Sequence, residues 1–159
     1  MKKTKDLIRP LAYLMATWFG SGHARIMPGT IGSLMTLPFV ALMIGMGGLP
    51  ALVGFIALTY LVGLWAVRHV LKETEHDPGF VVIDEVVGQA LTFVFVSYAM
   101  PSWWMFLVGF AAFRFFDIVK LWPACYFDTK VRNASGVMLD DVVAGGYAAV
   151  VLLLLQMMS

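Results

Sequence analysis

Long uncharged, apolar segments separate short blocks of charged residues along this chain. No Asp, Glu, Lys or Arg occurs between Ile26 and Val67, between Val86 and Phe113, or after Asp141. A helix needs roughly 20 apolar residues to cross a bilayer core of about 30 Å. The spacing of the charges therefore predicts membrane-spanning helices rather than a soluble fold.

The uncharged segments contain turn signals that divide them further. GMGGLP at 45–50 supplies a turn within the first segment, which is long enough for two helices. SYAMPSWW at 97–104 interrupts the second segment, because Pro101 breaks a helix and the aromatic residues suit a membrane–water boundary. The predicted helices cover 30–46, 50–70, 80–99, 102–122 and 140–157.

This order of helices returns every block of charge to the same side of the membrane. Lys and Arg accumulate on that side, so the positive-inside rule makes it the cytoplasmic side. A single span through 86–113 would instead place the carboxylates on opposite sides. We therefore predict one all-α domain over residues 1–159, a polytopic transmembrane bundle of about five membrane-embedded helices.

Composition supports a lipid environment and excludes several classes of function. Hydrophobic residues make up 60% of the chain and charged residues only 13%, whereas soluble domains carry about 25% charged residues. The net charge is +1 and there is no basic stripe, which argues against a nucleic-acid partner. Cys125 is the single cysteine, so neither an internal disulfide nor a thiolate metal site is expected.

Five carboxylates fall at or just within the ends of the predicted helices. They are Asp84, Glu85, Asp117, Asp140 and Asp141. A charged group at the centre of a membrane helix costs about 2.5 kcal/mol or more, and clustered negative charge stays unfavourable without a cation. Mg²⁺ prefers oxygen ligands, so we interpret all five as metal ligands. The alternative for Asp140 and Asp141 is that they cap the final helix, where Asp is favoured.

The segment FRFFDIVKLWP at 113–123 brings cations to the same region. Arg114, Asp117 and Lys120 recur every three residues and share one helical face. One interpretation is an intrahelical ladder of charges. The functional interpretation assigns Asp117 to the metal and the two cations to the phosphate of a substrate, which arginine grips with two hydrogen bonds and lysine with a compact charge.

The segment MPGTIGSLMTLP at 27–38 reads as a turn that leads into a helix. Thr30 or Ser33 is expected to cap that helix, and the free backbone N–H groups at its start form a natural anion site. The alternative is a cap combined with close packing through Gly29 and Gly32.

Four blocks in order resemble the phosphatidylglycerophosphatase A family of bacterial inner-membrane lipid phosphatases. They are FGSGHARIMPGTIGS at 19–33, VVIDEVVG at 81–88, FRFFDIVKLWP at 113–123 and FDTKVRNASGVMLDDVVAG at 127–145. The resemblance implies Mg²⁺-dependent conversion of phosphatidylglycerol phosphate to phosphatidylglycerol. It also implies a multi-pass protein of the inner membrane with its active site at the cytosolic helix ends.

The resemblance leads to a specific set of expected roles. Arg25 stands where the family often has proline and is either an added phosphate ligand or an interfacial anchor. The residues expected to carry the chemistry are Asp84, Glu85, Asp117 and Asp141, with Arg114, Lys120, Thr30, Ser33 and Arg25 binding the substrate. Direct attack by water is the expected route, with Glu85 or Asp141 taking its proton.

Three questions stay open on the sequence alone. Another lipid phosphomonoester, such as phosphatidic acid, fits the same residues. A divalent-cation transporter or a structural membrane protein with acidic groups in its core is the non-enzymatic alternative. The glycines near the C-terminus permit close helix packing within or between subunits, which leaves a homo-oligomer open.

Overall fold

The computed structural model describes residues 2–72, 78–96 and 101–158, with side chains from Ile8 onwards. Within these residues the chain is all-helical and contains no strand, which confirms the all-α part of the predicted fold class. The helices are α1 (Lys2–Ala16), α2 (Pro28–Val70), α3 (Ile83–Leu91), α4 (Trp103–Val119), α5 (Ala124–Lys130) and α6 (Ala134–Met158), with a 3₁₀ turn at Ser21–His23.

α2 is a helical hairpin rather than one long rod. Its backbone leaves the helical conformation at Gly47 and at Gly48, which has φ 58° and ψ −144°. The rings of Phe39 and Phe55 stack with their centroids 6.3 Å apart, whereas a continuous helix would hold these residues about 24 Å apart along its axis. The chain therefore reverses at the glycine pair, and the two predicted helices with a turn between them are confirmed.

Two hydrophobic clusters show which helix ends lie together. One joins the end of α2 to the starts of α3 and α6 through Val70, Ile83 and Val137. The other places Ile44, beside the hairpin turn, with Met105 at the start of α4. α4 therefore begins at the far end of the bundle and finishes at the end where α2, α3 and α6 begin. This arrangement gathers the charged segments at one end.

α3 and α6 cross with their backbones in contact. A Cβ atom on Gly145 would lie 2.3 Å from the carbonyl oxygen of Gly88, and one on Gly88 would lie 2.5 Å from the carbonyl oxygen of Asp141. Only glycine allows backbones to approach so closely. The crossing fixes the start of α3 beside the acidic turn of α6.

α3 is shorter than the helix predicted over 80–99. It begins at Ile83 and ends at Leu91, and tighter bonds follow, including Phe93 N–H to the carbonyl of Ala90 and Val96 N–H to that of Phe93. Threonine, phenylalanine and valine alternate there, and these residues have low helix propensity. The last predicted residues, 97–99, lie outside the described part of the chain.

α6 begins six residues earlier than predicted, at Ala134 rather than at 140. The side-chain oxygen of Asn133 accepts hydrogen bonds from the backbone N–H groups of Ser135 (2.9 Å) and Gly136 (3.1 Å), so Asn133 caps the helix. Asp140 and Asp141 consequently lie in the second turn, and the interpretation that they cap the final helix is wrong.

The other boundaries differ less from expectation. α4 begins within one residue of the helix predicted over 102–122. It ends at Val119, earlier than predicted, because Lys120 adopts a left-handed conformation. α1 and α5 were not among the predicted helices, and α5 is short, with seven residues.

Among the described residues, two helices are long and apolar enough to cross a membrane, judged by length and composition. They are α2, with a mean hydropathy of 2.1 in its most apolar window, and α6, with 1.9. Only 17% of that window of α2 is buried within the protein, and side chains such as Leu42, Leu58 and Leu61 are exposed. An apolar surface of this extent is typical of contact with lipid or with another protein.

Replacing Gly145 by alanine is expected to separate α3 from α6 and to lower the free energy of unfolding by about 1–3 kcal/mol, because the added methyl meets backbone that cannot move aside. Gly146→Ala is the matched control, since a Cβ at Gly146 has no neighbour within 4 Å. Thermal unfolding of both variants in detergent measures the difference. Equal midpoints for the two variants would contradict the close crossing.

Candidate active site

A cavity of about 290 Å³ opens at the end of the bundle where the charged segments meet. It is lined by the start of α2, the start of α3, the end of α4 and the second turn of α6. Its charged lining residues are Asp84, Glu85, Arg114, Asp117, Lys120, Asp140 and Asp141. The alternative of a single span through 86–113 is therefore wrong, because it would separate these carboxylates.

Three of the carboxylates lie close enough to share one cation. Asp84, Glu85 and Asp141 each offer an oxygen, and these oxygens lie within 4.8 Å of one another. Asp84 and Asp141 are almost fully buried, at 7% and 3% exposure. Oε2 of Glu85 is buried and has no hydrogen-bond partner in the described part of the chain. An all-oxygen donor set with an unsatisfied carboxylate oxygen fits a hard divalent cation such as Mg²⁺.

The charge of the cavity is unbalanced by the protein alone. Five carboxylates line it against two cations, which leaves a formal excess of three negative charges. Clustered anions that have lost most of their solvent repel one another and lose hydration energy. A bound cation is the simplest way to offset both effects.

Arg114 connects three of the helices around the cavity. Its Nη1 lies 2.5 Å from Oδ2 of Asp117 and 3.9 Å from Oε1 of Glu85. The same nitrogen donates a 3.5 Å hydrogen bond to Oγ of Ser33, which in turn donates to the carbonyl of Gly29 at 2.8 Å. The guanidinium is thus held in one orientation by contacts from α2, α3 and α4.

Lys120 leaves the helical face that Arg114 and Asp117 share. It ends α4 with φ 49° and ψ 60°, and its Nζ lies 2.8 Å from Oδ2 of Asp140 and 2.5 Å from Oδ1 of Asp128. Burial acts to lower the pKa of Lys120, but the two carboxylates outweigh it and hold the pKa above its usual range. The intrahelical ladder therefore includes only Arg114 and Asp117.

The start of α2 also lines the cavity. Met27, Pro28 and Gly29 line it, and a Cβ atom on Gly29 would lie 2.0 Å from Oε1 of Glu85. Gly29 therefore allows the Glu85 carboxylate to rest against the first turn of α2. The N–H groups of a first helical turn have no partner within their own helix.

The structure does not bring every predicted substrate ligand into the cavity. Arg25 is exposed, and neither it nor Thr30 nor Ser33 belongs to the described lining residues. Ser33 contacts Arg114, as described above. The expectation that Thr30 or Ser33 caps α2 is wrong, because the N-cap residue is Met27 and no side chain there caps the helix. Oγ1 of Thr30 is buried without a hydrogen-bond partner among the described residues. The roles of all the predicted site residues stay predictions.

Two contributors to the site were missed by reasoning from the sequence. Asp128, in the DTK sequence of α5, was given no role of its own although it pairs with Lys120. Gly29 was weighed only for helix packing, yet it makes room for Glu85. A lone acidic residue near a short helix and a glycine after a proline give no distinctive signal in one sequence.

These features define an all-helical protein with a cluster of carboxylates and two cationic side chains, Arg114 and Lys120, at one end of apolar helices. The family model of phosphatidylglycerophosphatase A matches residues 14–156. The chain is 37% identical to a phosphatidylglycerophosphatase A of Haemophilus influenzae over 97% of this chain and 93% of that protein. It is 38% identical to the Escherichia coli phosphatidylglycerophosphatase A over 88% of this chain and 80% of that protein.

A third relative has a different name. It is a protein of Bacteroides thetaiotaomicron, provisionally named a phosphatidylinositol-3-phosphatase, which is 34% identical over 89% of this chain and 91% of its own length. No solved structure matches the chain. The chain belongs to the phosphatidylglycerophosphatase A family, and it is accordingly a phosphatase, an enzyme that hydrolyses phosphoric monoesters.

Gly29→Ala is expected to reduce phosphatase activity by about tenfold or more while the fold is retained. The added methyl meets the end of the Glu85 side chain, which can swing away but then leaves its place in the acidic trio. Gly54→Ala is the control, because a Cβ there meets no atom within 4 Å. Activity and thermal unfolding of the two purified variants should be compared. Full activity of Gly29→Ala would mean that the position of Glu85 does not matter.

Proposed function

We propose that this protein is a Mg²⁺-dependent lipid phosphatase that hydrolyses phosphatidylglycerol phosphate to phosphatidylglycerol and phosphate. The observation that carries the proposal is the excess of negative charge in a cavity at the end of apolar helices. The names of the Haemophilus influenzae and Escherichia coli relatives support the choice of substrate.

Asp84, Glu85 and Asp141 are the proposed core of the metal site. Their oxygens lie within 4.8 Å of one another and come from α3 and α6. Asp117 and Asp140 complete the acidic lining, where they orient Arg114 and Lys120 and remain available as outer ligands. Mg²⁺, when bound there, would neutralise the phosphate, polarise its P–O bonds and lower the pKa of a coordinated water.

The cationic side chains account for recognition of the phosphate. Arg114 is held by Asp117 and Ser33, so its guanidinium is already oriented before substrate binds. Lys120 lines the cavity from the C-terminal end of α4. The first turn of α2 adds free backbone N–H groups and the positive end of a helix dipole. Together these groups stabilise the negative charge that is carried by the transferring phosphoryl group.

Hydrolysis also requires a group that accepts a proton from water. Glu85 and Asp141 are the two candidates, since each lies in the acidic trio and faces the cavity. The proton leaves the water as its oxygen attacks phosphorus. The bond between phosphorus and the head-group glycerol oxygen breaks, and phosphatidylglycerol leaves as an alkoxide that takes up a proton from the carboxyl group or from water. We propose direct attack by water.

The proposed placement in the membrane is that of a polytopic bundle of about five membrane-embedded helical segments. The two arms of α2, the α3 segment, α4 and α6 would supply them, with the cavity at the cytosolic face of the bacterial inner membrane. Trp103 and Trp122, both 76% exposed at opposite ends of α4, suit the two membrane–water boundaries. A cavity at helix ends reaches a lipid headgroup while the acyl chains stay in the bilayer.

A second candidate substrate is favoured by the Bacteroides thetaiotaomicron relative, whose provisional name concerns a phosphoinositide. The cavity recognises a phosphomonoester through charges that do not distinguish glycerol from inositol. Phosphate release from phosphatidylglycerol phosphate, phosphatidic acid and phosphatidylinositol-3-phosphate, each presented in the same micelles, separates these activities. We expect the first lipid to give the highest kcat/KM. A higher value for either of the others would change the substrate assignment.

Asp84→Asn and Asp141→Asn are expected to lower Mg²⁺-dependent phosphate release by about a hundredfold or more, because each removes a charged oxygen ligand from the trio. Lys130→Gln, at the exposed end of α5, is the control. Removal of divalent cations with a chelator should abolish the wild-type activity, and added Mg²⁺ should restore it. Near-normal activity of both aspartate variants, with thermal unfolding unchanged, would reject the metal assignment.

Labelling with a membrane-impermeant maleimide tests the proposed orientation. In a Cys125→Ser background, Arg132→Cys places a thiol at the cavity end and Met46→Cys places one beside the hairpin turn; both positions are exposed. Intact spheroplasts are expected to label the thiol at position 46, and the thiol at 132 should react only after lysis. The reverse pattern would place the cavity on the outer side.

A further inference from the structure

Asp128 stands outside the cavity but contacts a residue that lines it. The cavity lining includes Lys120 and Asp140 and does not include Asp128 among the described residues. Oδ1 of Asp128 lies 2.5 Å from the Lys120 ammonium, and its side chain is only 30% exposed. The Asp128 carboxylate therefore contacts Lys120 from the short helix α5 and not from the cavity lining.

An ammonium group has three N–H donors. In Lys120 one points to Asp128 on α5 and a second to Asp140 on α6, at 2.5 and 2.8 Å. The third donor is left for the cavity that Lys120 lines. The carboxylates of Asp128 and Asp140 therefore determine the direction of the third N–H group.

The backbone of Lys120 adds to this constraint. It has φ 49°, a left-handed conformation that is uncommon for residues with a side chain and that persists only where surrounding contacts hold it. Since a lysine side chain has four rotatable bonds and a high conformational entropy, one ion pair alone would define its end poorly. The second carboxylate on a separate helix restricts it further.

We propose that Asp128 is a positioning residue for the phosphatase reaction, which aims the Lys120 ammonium at the phosphate of the substrate. The proposal rests on the function proposed above. It assigns a role to α5, which holds Lys120 together with α6 although none of the described lining residues of the cavity belongs to α5.

A purely electrostatic role and a positioning role of Asp128 predict opposite effects of the Asp128→Asn substitution. Asp128→Asn removes a negative charge near an anionic substrate, so a purely electrostatic role predicts tighter binding and a lower KM. A positioning role predicts that kcat/KM falls by about tenfold or more, because the loss of a charge-assisted hydrogen bond frees the lysine. Asp128→Glu keeps the charge and the acceptor and should recover part of the loss.

The experiment measures kcat and KM for phosphate release from phosphatidylglycerol phosphate with wild type, Asp128→Asn, Asp128→Glu and Lys120→Gln, at fixed Mg²⁺ in the same micelles. Lys130→Gln, two residues away on α5 and exposed, is the matched control. We expect Asp128→Asn to lose about tenfold or more in kcat/KM, Lys120→Gln to lose at least as much, Lys130→Gln to stay within about twofold, and all unfolding midpoints to agree within a few degrees.

Two results would overturn the inference. The first is that Asp128→Asn matches Lys130→Gln or shows a lowered KM, which would leave Asp128 with no role or a purely electrostatic one. Alternatively, its activity and its unfolding midpoint fall together without recovery in Asp128→Glu, which would make Asp128 an anchor for α5 only. If the wild type releases no phosphate from this lipid, the proposed function itself is contradicted. That result is distinct from the two above, because in both of them the wild type is active.

Discussion

The burial of several carboxylates in one cavity, at the end of helices that are otherwise apolar, is the constraint on which this structure depends. Asp84 and Asp141 are nearly inaccessible to water, and the cavity carries three more formal negative charges than positive ones. A protein does not assemble such a cluster for stability, because apolar residues in the same places would avoid the cost of desolvation and repulsion. We therefore propose that the cluster holds a positively charged ligand, and its all-oxygen composition would favour a hard cation.

The fold can be seen as the means of bringing these groups together from distant parts of the chain. The hairpin in α2 returns the chain to the end where it began, so that the start of α2 and the start of α3 are neighbours. The contact between Gly88 and Gly145 sets the separation of α3 from α6, and with it the separation of Asp84 from Asp141. Arg114 and Lys120 then arrive from α4, each held by a carboxylate. The two cations are thus oriented before any phosphate binds, which lowers the cost of ordering them during the reaction.

Much of this could be predicted because charge and apolar length are visible in one sequence. The uncharged segments predicted the two helical arms of α2 closely, because GMGGLP, with three glycines and a proline, indicates the turn between them. The carboxylate set was also visible, as acidic residues are scarce in such a chain. The end of α3 and the start of α6 were harder, because helix propensity and a single capping residue, Asn133, decide them. Capping by Asp140 and Asp141 was a reasonable interpretation that failed for that reason.

The remaining parts of the site depend on tertiary contacts that leave no local pattern. Lys120 was expected to continue the face of Arg114 and Asp117, but its left-handed backbone turns it towards α5 and α6. Arg25 was grouped with the substrate ligands by its position in a motif, and the structure leaves it exposed. The direction of Lys120 and the exposure of Arg25 do not follow from the spacing of residues along a helix. Each depends on the path of the chain outside the helices.

The most direct test of the account is a measurement of metal binding that does not depend on catalysis. Mn²⁺ can stand in for Mg²⁺, and electron paramagnetic resonance of the purified protein in detergent reports its free and bound fractions. The account predicts that wild type binds Mn²⁺, that Mg²⁺ displaces it, and that Asp141→Asn weakens binding by about tenfold or more, because one of the clustered carboxylates is lost. Wild type that binds Mn²⁺ no more tightly than Asp141→Asn would show that the acidic cluster does not hold a metal, and the account would be wrong at its centre.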